Sequence, residues 1–296
     1  QGVPMVVVSG ESLTYSEQEG FEPGPQWQGL LSVVGGPANL VQAITKWSQA
    51  VSSPFTLHEQ LIRAGEMAQR SPAGPVYMSV PIETMLHDWT PPQNPRTVPK
   101  PVLPVPPVSE IERVADMLLA AKNPAIVAES VGRDPAGYDA TVELAELLAI
   151  PVSECRWLDF TNFPKEHPLY QGMGELDYLQ DTDVVLTLRA RAPWTPASAK
   201  PANATIVNID EAPFRPHMVH QSLQADVFLE GDAVATLRAL ISAIRERGVD
   251  TAVVAERQAR WSKGHDALVA DKKADIDAAL AKETISPIGL CATLGD

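Results

Sequence analysis

Four residues of this chain, Gly132, Arg133, Arg189 and Asp210, have the types and spacing from which a nucleotide site could be built. In such a site, glycines after a strand let the backbone approach a pyrophosphate at a helix N-terminus, and an acid ending a later strand takes the ribose hydroxyls. Here the apolar run 125–128 leads into Glu129-Ser130-Val131-Gly132-Arg133-Asp134, with a single glycine where a binder wants two or three. Glu129 would also repel phosphate. Arg189 follows the apolar run 183–188, and Arg189, Arg191 and Arg133 could pair an anion. Asp210 ends Ile206-Val207-Asn208-Ile209 and would be the ribose partner; without a nucleotide it caps the strand end or the turn at Pro213. The shortage of glycine favours an empty, structural domain, with an ADP-like or FAD-like ligand as the competing reading.

The remaining candidates carry weaker signals. Glu11, Ser12, Thr14 and Tyr15 follow the run 4–9, and ligands gather outside the carboxyl ends of strands in open α/β sheets. The plainer reading of that loop is solvated polar groups. His217 and His220 lack helical placement and a neighbouring carboxylate, which leaves them a loop or surface role. Lys46 beside Trp47 reads as a structural pairing, because an amine nucleophile needs burial to lose its proton. Asp232 precedes an alanine-rich helix and is an N-cap by position. Cys155 and Cys291 lie far apart with no metal-ligand spacing, so neither a disulfide framework nor a metal site is expected.

The elements that would position these residues form an α/β chain of two parts. Beyond residue 108, strands at 125–128, 151–155, 183–188, 205–209 and 227–229 alternate with helices at 136–149, 176–180 and 233–247. That alternation means parallel pairing, right-handed crossovers and a doubly wound, Rossmann-like sheet. Its first helix opens at Ser109 and Glu112, which have capping-box spacing, with Ile111, Val114, Ala115, Leu118 and Leu119 as its apolar face. A charged, alanine-rich helix over 251–282, anchored by Trp261, reads as a solvated connector.

Before residue 91 the chain reads as part of a parallel-sheet domain. The apolar run 4–9 predicts a strand buried on both faces. Residues 38–51 predict a helix with Leu40, Val41, Ile44, Trp47 and Ala50 inward, and Thr56 and Glu59 predict a capped helix with Leu57, Leu61, Ala64 and Ala68 as its stripe. Gly74-Pro75 then leads into a buried strand that ends at Pro81. Prolines at 91, 92, 95, 99, 101, 104, 106 and 107 exclude helix and central strand and mark a linker.

Composition excludes several functions. With 23 basic and 37 acidic residues the net charge is −14, unsuited to nucleic acid or anionic membrane surfaces. No run approaches the roughly 18 apolar residues of a membrane span, and the cysteine usage suits a cytoplasmic location.

Lys46-Trp47, then Gly74-Pro75-Val76-Tyr77 and Val80-Pro81, then a proline linker and a new α/β unit, together resemble the thiamine diphosphate-dependent enzymes of the acetolactate synthase, benzaldehyde lyase and 2-oxoacid decarboxylase group. The resemblance includes His167-Pro168-Leu169 to Gly172-Met173-Gly174 and the strand ending in Asp210. It implies four segments: 1–97, the C-terminal part of a pyrimidine-binding domain; 98–108, the linker; 109–248, the central Rossmann-like domain; and 249–296, a helical connector toward a third domain. It further implies that Gln28 faces the cofactor across a subunit interface with Trp27 packed behind it, and Gly29 after Gln28 is closer to a lyase-like pattern than to a synthase.

In that family a first-domain Glu activates the cofactor and a third-domain motif holds Mg²⁺ and diphosphate. Both are expected outside residues 1–296, so no catalytic residue is expected in this segment. The implied function is a portion of a thiamine diphosphate- and Mg²⁺-dependent lyase, synthase or decarboxylase acting on 2-oxo acids or aldehydes. Its expected partners are the N- and C-terminal portions of the same enzyme, in a homodimer or homotetramer. The competing reading is a non-catalytic nucleotide-binding or scaffolding module, with Arg133, Arg189 and Asp210 on an ADP-like effector.

Overall fold

The computed structural model describes residues 2–11, 35–174, 176–215, 218–282 and 284–295. The chain divides into two compact units, Gln1–Leu103 and Pro104–Asp296, each α/β with a parallel sheet.

The first unit is built on three strands, β1 (Met5–Glu11), β2 (Trp47–Ala50) and β3 (Pro75–Pro81), in the order β1-β3-β2. The helix α2 (Leu57–Gln69) turns Ile62, Ala64 and Ala68 inward, and Ala64 and Ala68 cluster with Val51, Val76, Met78 and Val80. Central β3 is covered almost throughout, as its Gly/Pro-bounded apolar run leads one to expect. The short helices α1 (Pro37–Leu40) and α3 (Ile82–Leu86) flank the sheet.

Three local expectations are corrected here. Residues 38–51 do not form one helix: α1 stops at Leu40, a single 3₁₀ turn spans Gln42–Ile44, and Thr45 is already extended at φ −120°. Trp47 to Ala50 then pair in parallel with Val76 to Ser79, so strand pairing overrides the helical spacing, and Ile44 is left 77% exposed. β1 is a parallel strand, paired with β3 from Met5↔Pro75 to Glu11↔Pro81, but it is not buried on both faces: Met5 to Val8 are exposed. Among the described residues it has one neighbour, and an edge strand lacks the flanking cover that a central one has. Neither capping box forms. Thr56 Oγ1 bonds the Ser53 carbonyl and Gln60, and the next helix, α4 (Val108–Ala120), starts behind Pro107 with no side-chain cap.

The second unit is a six-stranded parallel sheet. Its strands are β4 (Pro124–Ala128), β5 (Val152–Glu154), β6 (Tyr170–Met173), β7 (Val184–Leu188), β8 (Thr205–Asp210) and β9 (Val227–Glu230), in the order β6-β5-β4-β7-β8-β9. The chain leaves β4 toward β5 and β6, then crosses back to β7, so the order reverses between β4 and β7. β6 is an addition to the expected strands, since Tyr-Gln-Gly-Met carries no apolar run.

The helices α4 (Val108–Ala120), α5 (Pro135–Leu148) and α6 (Ala233–Arg247) pack their buried apolar faces on this sheet. Asp134 caps α5 through Ala136 N, and Asp232 caps α6 through Val234 N and Ala235 N, as its position indicated. The predicted helix at 176–180 is a 3₁₀ turn, Asp177–Asp181.

The long helix α7 (Thr251–Leu280) is more than a solvated connector, because it buries Arg257 and His265. His265 Nδ1 lies 2.8 Å from the Tyr170 carbonyl on β6, and Trp261 packs edge-on against Tyr178. A last helix, α8 (Pro287–Gly295), follows. Among the described residues no helix is long and apolar enough to cross a membrane.

Candidate functional site

The reversal of strand order between β4 and β7 opens a crevice at the carboxyl ends of the strands, the usual ligand position in open α/β sheets. A cleft of about 290 Å³ lies there, lined among others by Glu129 after β4, Cys155 and Trp157 after β5, Gly174 after β6, Arg191 after β7 and Met218 after β8.

Glu129, Arg133, Arg189, Arg191, Asp210, Glu211 and Arg215 each meet an opposite charge of the chain itself. Glu129 accepts the Arg191 amide at 2.6 Å and its Nε–H, while Arg191 Nη2 reaches Asp159 at 3.0 Å. Arg133 Nη2 and Arg189 Nε donate to the two oxygens of Glu211, at 2.6 and 2.7 Å. Arg215 Nη2 meets both oxygens of Asp210, at 3.3 and 3.2 Å. Asp210 also accepts the Ala212 amide at 2.8 Å, the turn-capping alternative to a ribose partner.

Burial shapes the two acids differently. Asp210 is pushed above the ordinary carboxylate value by desolvation, against the pull of Arg215. Burial would raise Glu211 as well, but Arg189 and Arg133 outweigh it and hold that carboxyl below its ordinary value.

Gly132 is needed for packing. A Cβ there would lie 1.9 Å from the Thr161 carbonyl oxygen, and the Gly132 amide donates to Asn162 Oδ1 at 3.0 Å. The neighbouring amides are also used: Arg133 N bonds Ser130 O, Ala136 N bonds the Asp134 carboxylate, and Gly137 N bonds Asp134 O. A phosphate at this helix N-terminus would find those amides engaged and Glu129 and Asp134 close by in the chain. The amides of Gly132, Arg133, Ala136 and Gly137 are thus engaged within the chain rather than turned to the phosphates of FAD or ADP.

Thus Gly132, Arg133, Arg189 and Asp210 do gather at one end of the sheet, but around internal carboxylates. Sequence reasoning missed Glu211, whose only signal was its position directly after Asp210 at a strand end. It also missed Glu154, fully buried at the end of β5. Glu154 accepts from Asn162 N at 2.8 Å and pairs with Lys165, whose Nζ sits 4.6 Å above the Tyr170 ring.

Trp27, Gln28 and His217 lie outside the described residues. His220 is exposed. Lys46 serves the fold: its Nζ donates to the Arg70 carbonyl just past α2, and burial lowers its pKa. Among the described residues no three His, Cys, Asp or Glu side chains converge on a possible metal position.

Comparison with known proteins supplies what the site does not. Residues 111–240 match the thiamine pyrophosphate enzyme central domain. A Pseudomonas aeruginosa protein described as a 2-ketoarginine decarboxylase is 25% identical over 275 residues, which are 87% of this chain and 45% of that protein. Benzoylformate decarboxylase of Pseudomonas aeruginosa is 26% identical over 247 residues, 75% of this chain and 44% of that enzyme. The fold is similar to the crystal structure of a protein from Mycobacterium smegmatis described as a thiamin diphosphate-dependent enzyme, with a TM-score of 0.64 at 24% identity, over 81% of this chain and 46% of that one. The chain thus spans a little under half the length of the curated relatives it matches. Residues 111–240 are thus similar to the central domain of thiamine pyrophosphate enzymes, and most of the chain is similar to two curated decarboxylases.

Proposed function

We propose that this chain is part of a thiamine diphosphate-dependent decarboxylase that cleaves the C–C bond of a 2-oxo acid, a lyase rather than a transferase. The observation that carries the reading is the central-domain match on a doubly wound sheet, joined to two curated relatives that are both named as decarboxylases of 2-oxo acids. When bound, the cofactor supplies the nucleophilic carbon and the electron sink for such cleavage. Residues 1–97 are then the C-terminal part of a pyrimidine-binding domain, residues 98–108 the linker and residues 109–248 its non-catalytic companion. Gln28 and Trp27 fall in the part that meets the cofactor.

The exposed apolar edge strand β1 supports the same reading. Four consecutive apolar side chains from Met5 to Val8, on a strand with one neighbour among the described residues, suit a surface covered by the remainder of the enzyme or by another subunit. On this reading the chain alone neither holds the cofactor nor turns over substrate, and the parent enzyme is a homodimer or homotetramer. The nucleotide-binding alternative draws no support from a site whose arginines already face carboxylates.

The test is to express the complete coding region, add thiamine diphosphate and Mg²⁺, and follow CO₂ release from a panel of aryl, alkyl and guanidinoalkyl 2-oxo acids. Cofactor-dependent CO₂ release with at least one of them is the expected result. A protein that binds the cofactor but releases CO₂ from none would overturn the decarboxylase assignment.

A further inference from the structure

We propose that the central sheet carries a latent anion site filled from within, in which the Glu211 carboxylate stands where an external phosphate oxyanion would sit. Glu211 comes from the end of β8, Arg133 from the turn after β4 and Arg189 from the end of β7, so the three converge across the reversal point of the sheet. The carboxylate is 8% exposed and bridges the two guanidiniums at 2.6 and 2.7 Å. A phosphoryl group between two arginines makes this same pattern of charge-assisted bonds.

Two further observations mark the place as built for an anion. Arg189 is a non-glycine residue at φ +46°, held there by its own amide on Ile209 O at 2.9 Å and by Ser130 Oγ on its carbonyl at 2.9 Å. Such a conformation costs about 1–3 kcal/mol and persists where its surroundings impose it. Its guanidinium, 6% exposed, also keeps a buried donor, Nη1, that makes no hydrogen bond among the described residues. A carboxylate has two oxygens and both are engaged, whereas a phosphate has further oxygens that could reach the spare donor. Three guanidiniums (Arg133, Arg189, Arg215) here meet two carboxylates (Asp210, Glu211). Deleting the Glu211 carboxylate leaves Arg133 and Arg189 without the anion that bridges them.

The native domain is therefore closed to free nucleotides by its own side chain, and Glu211→Ala converts it into a phosphate binder. The test compares thermal unfolding of the 296-residue chain, wild type and Glu211→Ala, in inorganic phosphate and in chloride at matched pH and ionic strength. ADP is titrated separately.

Phosphate stabilises most proteins slightly by exclusion, so the readout is the extra shift of the variant over wild type. The variant is expected to unfold several degrees lower in chloride and to regain part of that loss saturably in phosphate, as mass action requires of a bound ligand. Arg133→Ala added to it abolishes the regain. Wild type shows no saturable response to phosphate or ADP. Where Glu211→Ala does not fold in chloride, Glu211→Ser is measured in the same way. Saturable binding of phosphate or ADP by wild type that Arg133→Ala removes, or small-residue variants that gain nothing from phosphate beyond wild type, would overturn the proposal.

Discussion

Arg257, buried on α7, donates from Nη1 to the Leu148 carbonyl at 3.2 Å, at the last turn of α5. Its Nη2 does the same for the Ala121 carbonyl at the end of α4. The last carbonyls of a helix have no partner inside it, and a cation at that end also meets the negative pole of the helix dipole. One side chain of the long helix therefore closes two helices of the sheet's flank. Arg257→Met keeps the apolar stem and removes both bonds. It is expected to destabilise the second unit by about 2–3 kcal/mol, read as a lower midpoint in urea with an unchanged slope. A change within about 0.5 kcal/mol, the usual range of a surface substitution, would show that α7 is only loosely attached.

Gly132→Ala sets one added methyl against the Thr161 carbonyl, a backbone atom with no rotamer to retreat into. Overpacking of this kind costs about 1–3 kcal/mol, and the Gly132–Asn162 bond is expected to break with it. Calorimetry should show a lower transition temperature for the alanine variant. An unchanged one would mean that the loop at 159–163 yields freely.

The acid limb of the stability curve should carry the mark of Glu211. Its folded pKa lies below the ordinary 4.5, so the stability it contributes is present above pH 4.5 and is lost as the pH falls through the folded pKa. Asp210, raised above 3.8 by burial, acts in the opposite sense: stability falls as the pH rises from 3.8 through its folded pKa. Glu211→Gln should flatten the loss below pH 4.5, and Asp210→Asn should steepen the decline toward acid. Urea midpoints measured from pH 3 to pH 7 separate the two slopes. Parallel curves for wild type and Glu211→Gln would contradict the bridging role.

How much of this was legible beforehand depended on whether the cause was local. β4, β7 and β8 are Val/Ile/Leu-rich runs that the sequence indicates nearly residue for residue, whereas Tyr-Gln-Gly-Met of β6 carries no such signal. Residues 38–51 failed because positions 40, 41, 44 and 47 satisfy a helical period while the pairing of Trp47 with Val76 is a long-range fact. β1 was read correctly as a parallel strand and wrongly as a covered one, since apolar character alone does not say what lies alongside. At the site, Glu129 already argued against phosphate. Glu211 could not be foreseen, because its contact with Arg189 depends on the register that sets Leu188 opposite Ile209 and so brings the ends of β7 and β8 together.

Thiol chemistry offers an inexpensive check on the second unit. Cys291 on α8 is exposed and Cys155, at the cleft, is buried, and neither is in a disulfide. A chromogenic disulfide reagent should release one equivalent quickly and the second only slowly or after denaturation. Two equally fast thiols would mean that the cleft wall at the end of β5 is open.

In the proposed reading the cofactor is held by residues other than these 296. The direct measurement is calorimetric titration of thiamine diphosphate with Mg²⁺ into the 296-residue chain and, in parallel, into the product of the complete coding region. No saturable heat from the chain and stoichiometric binding by the complete product is the predicted result. Stoichiometric binding by the chain alone would contradict it.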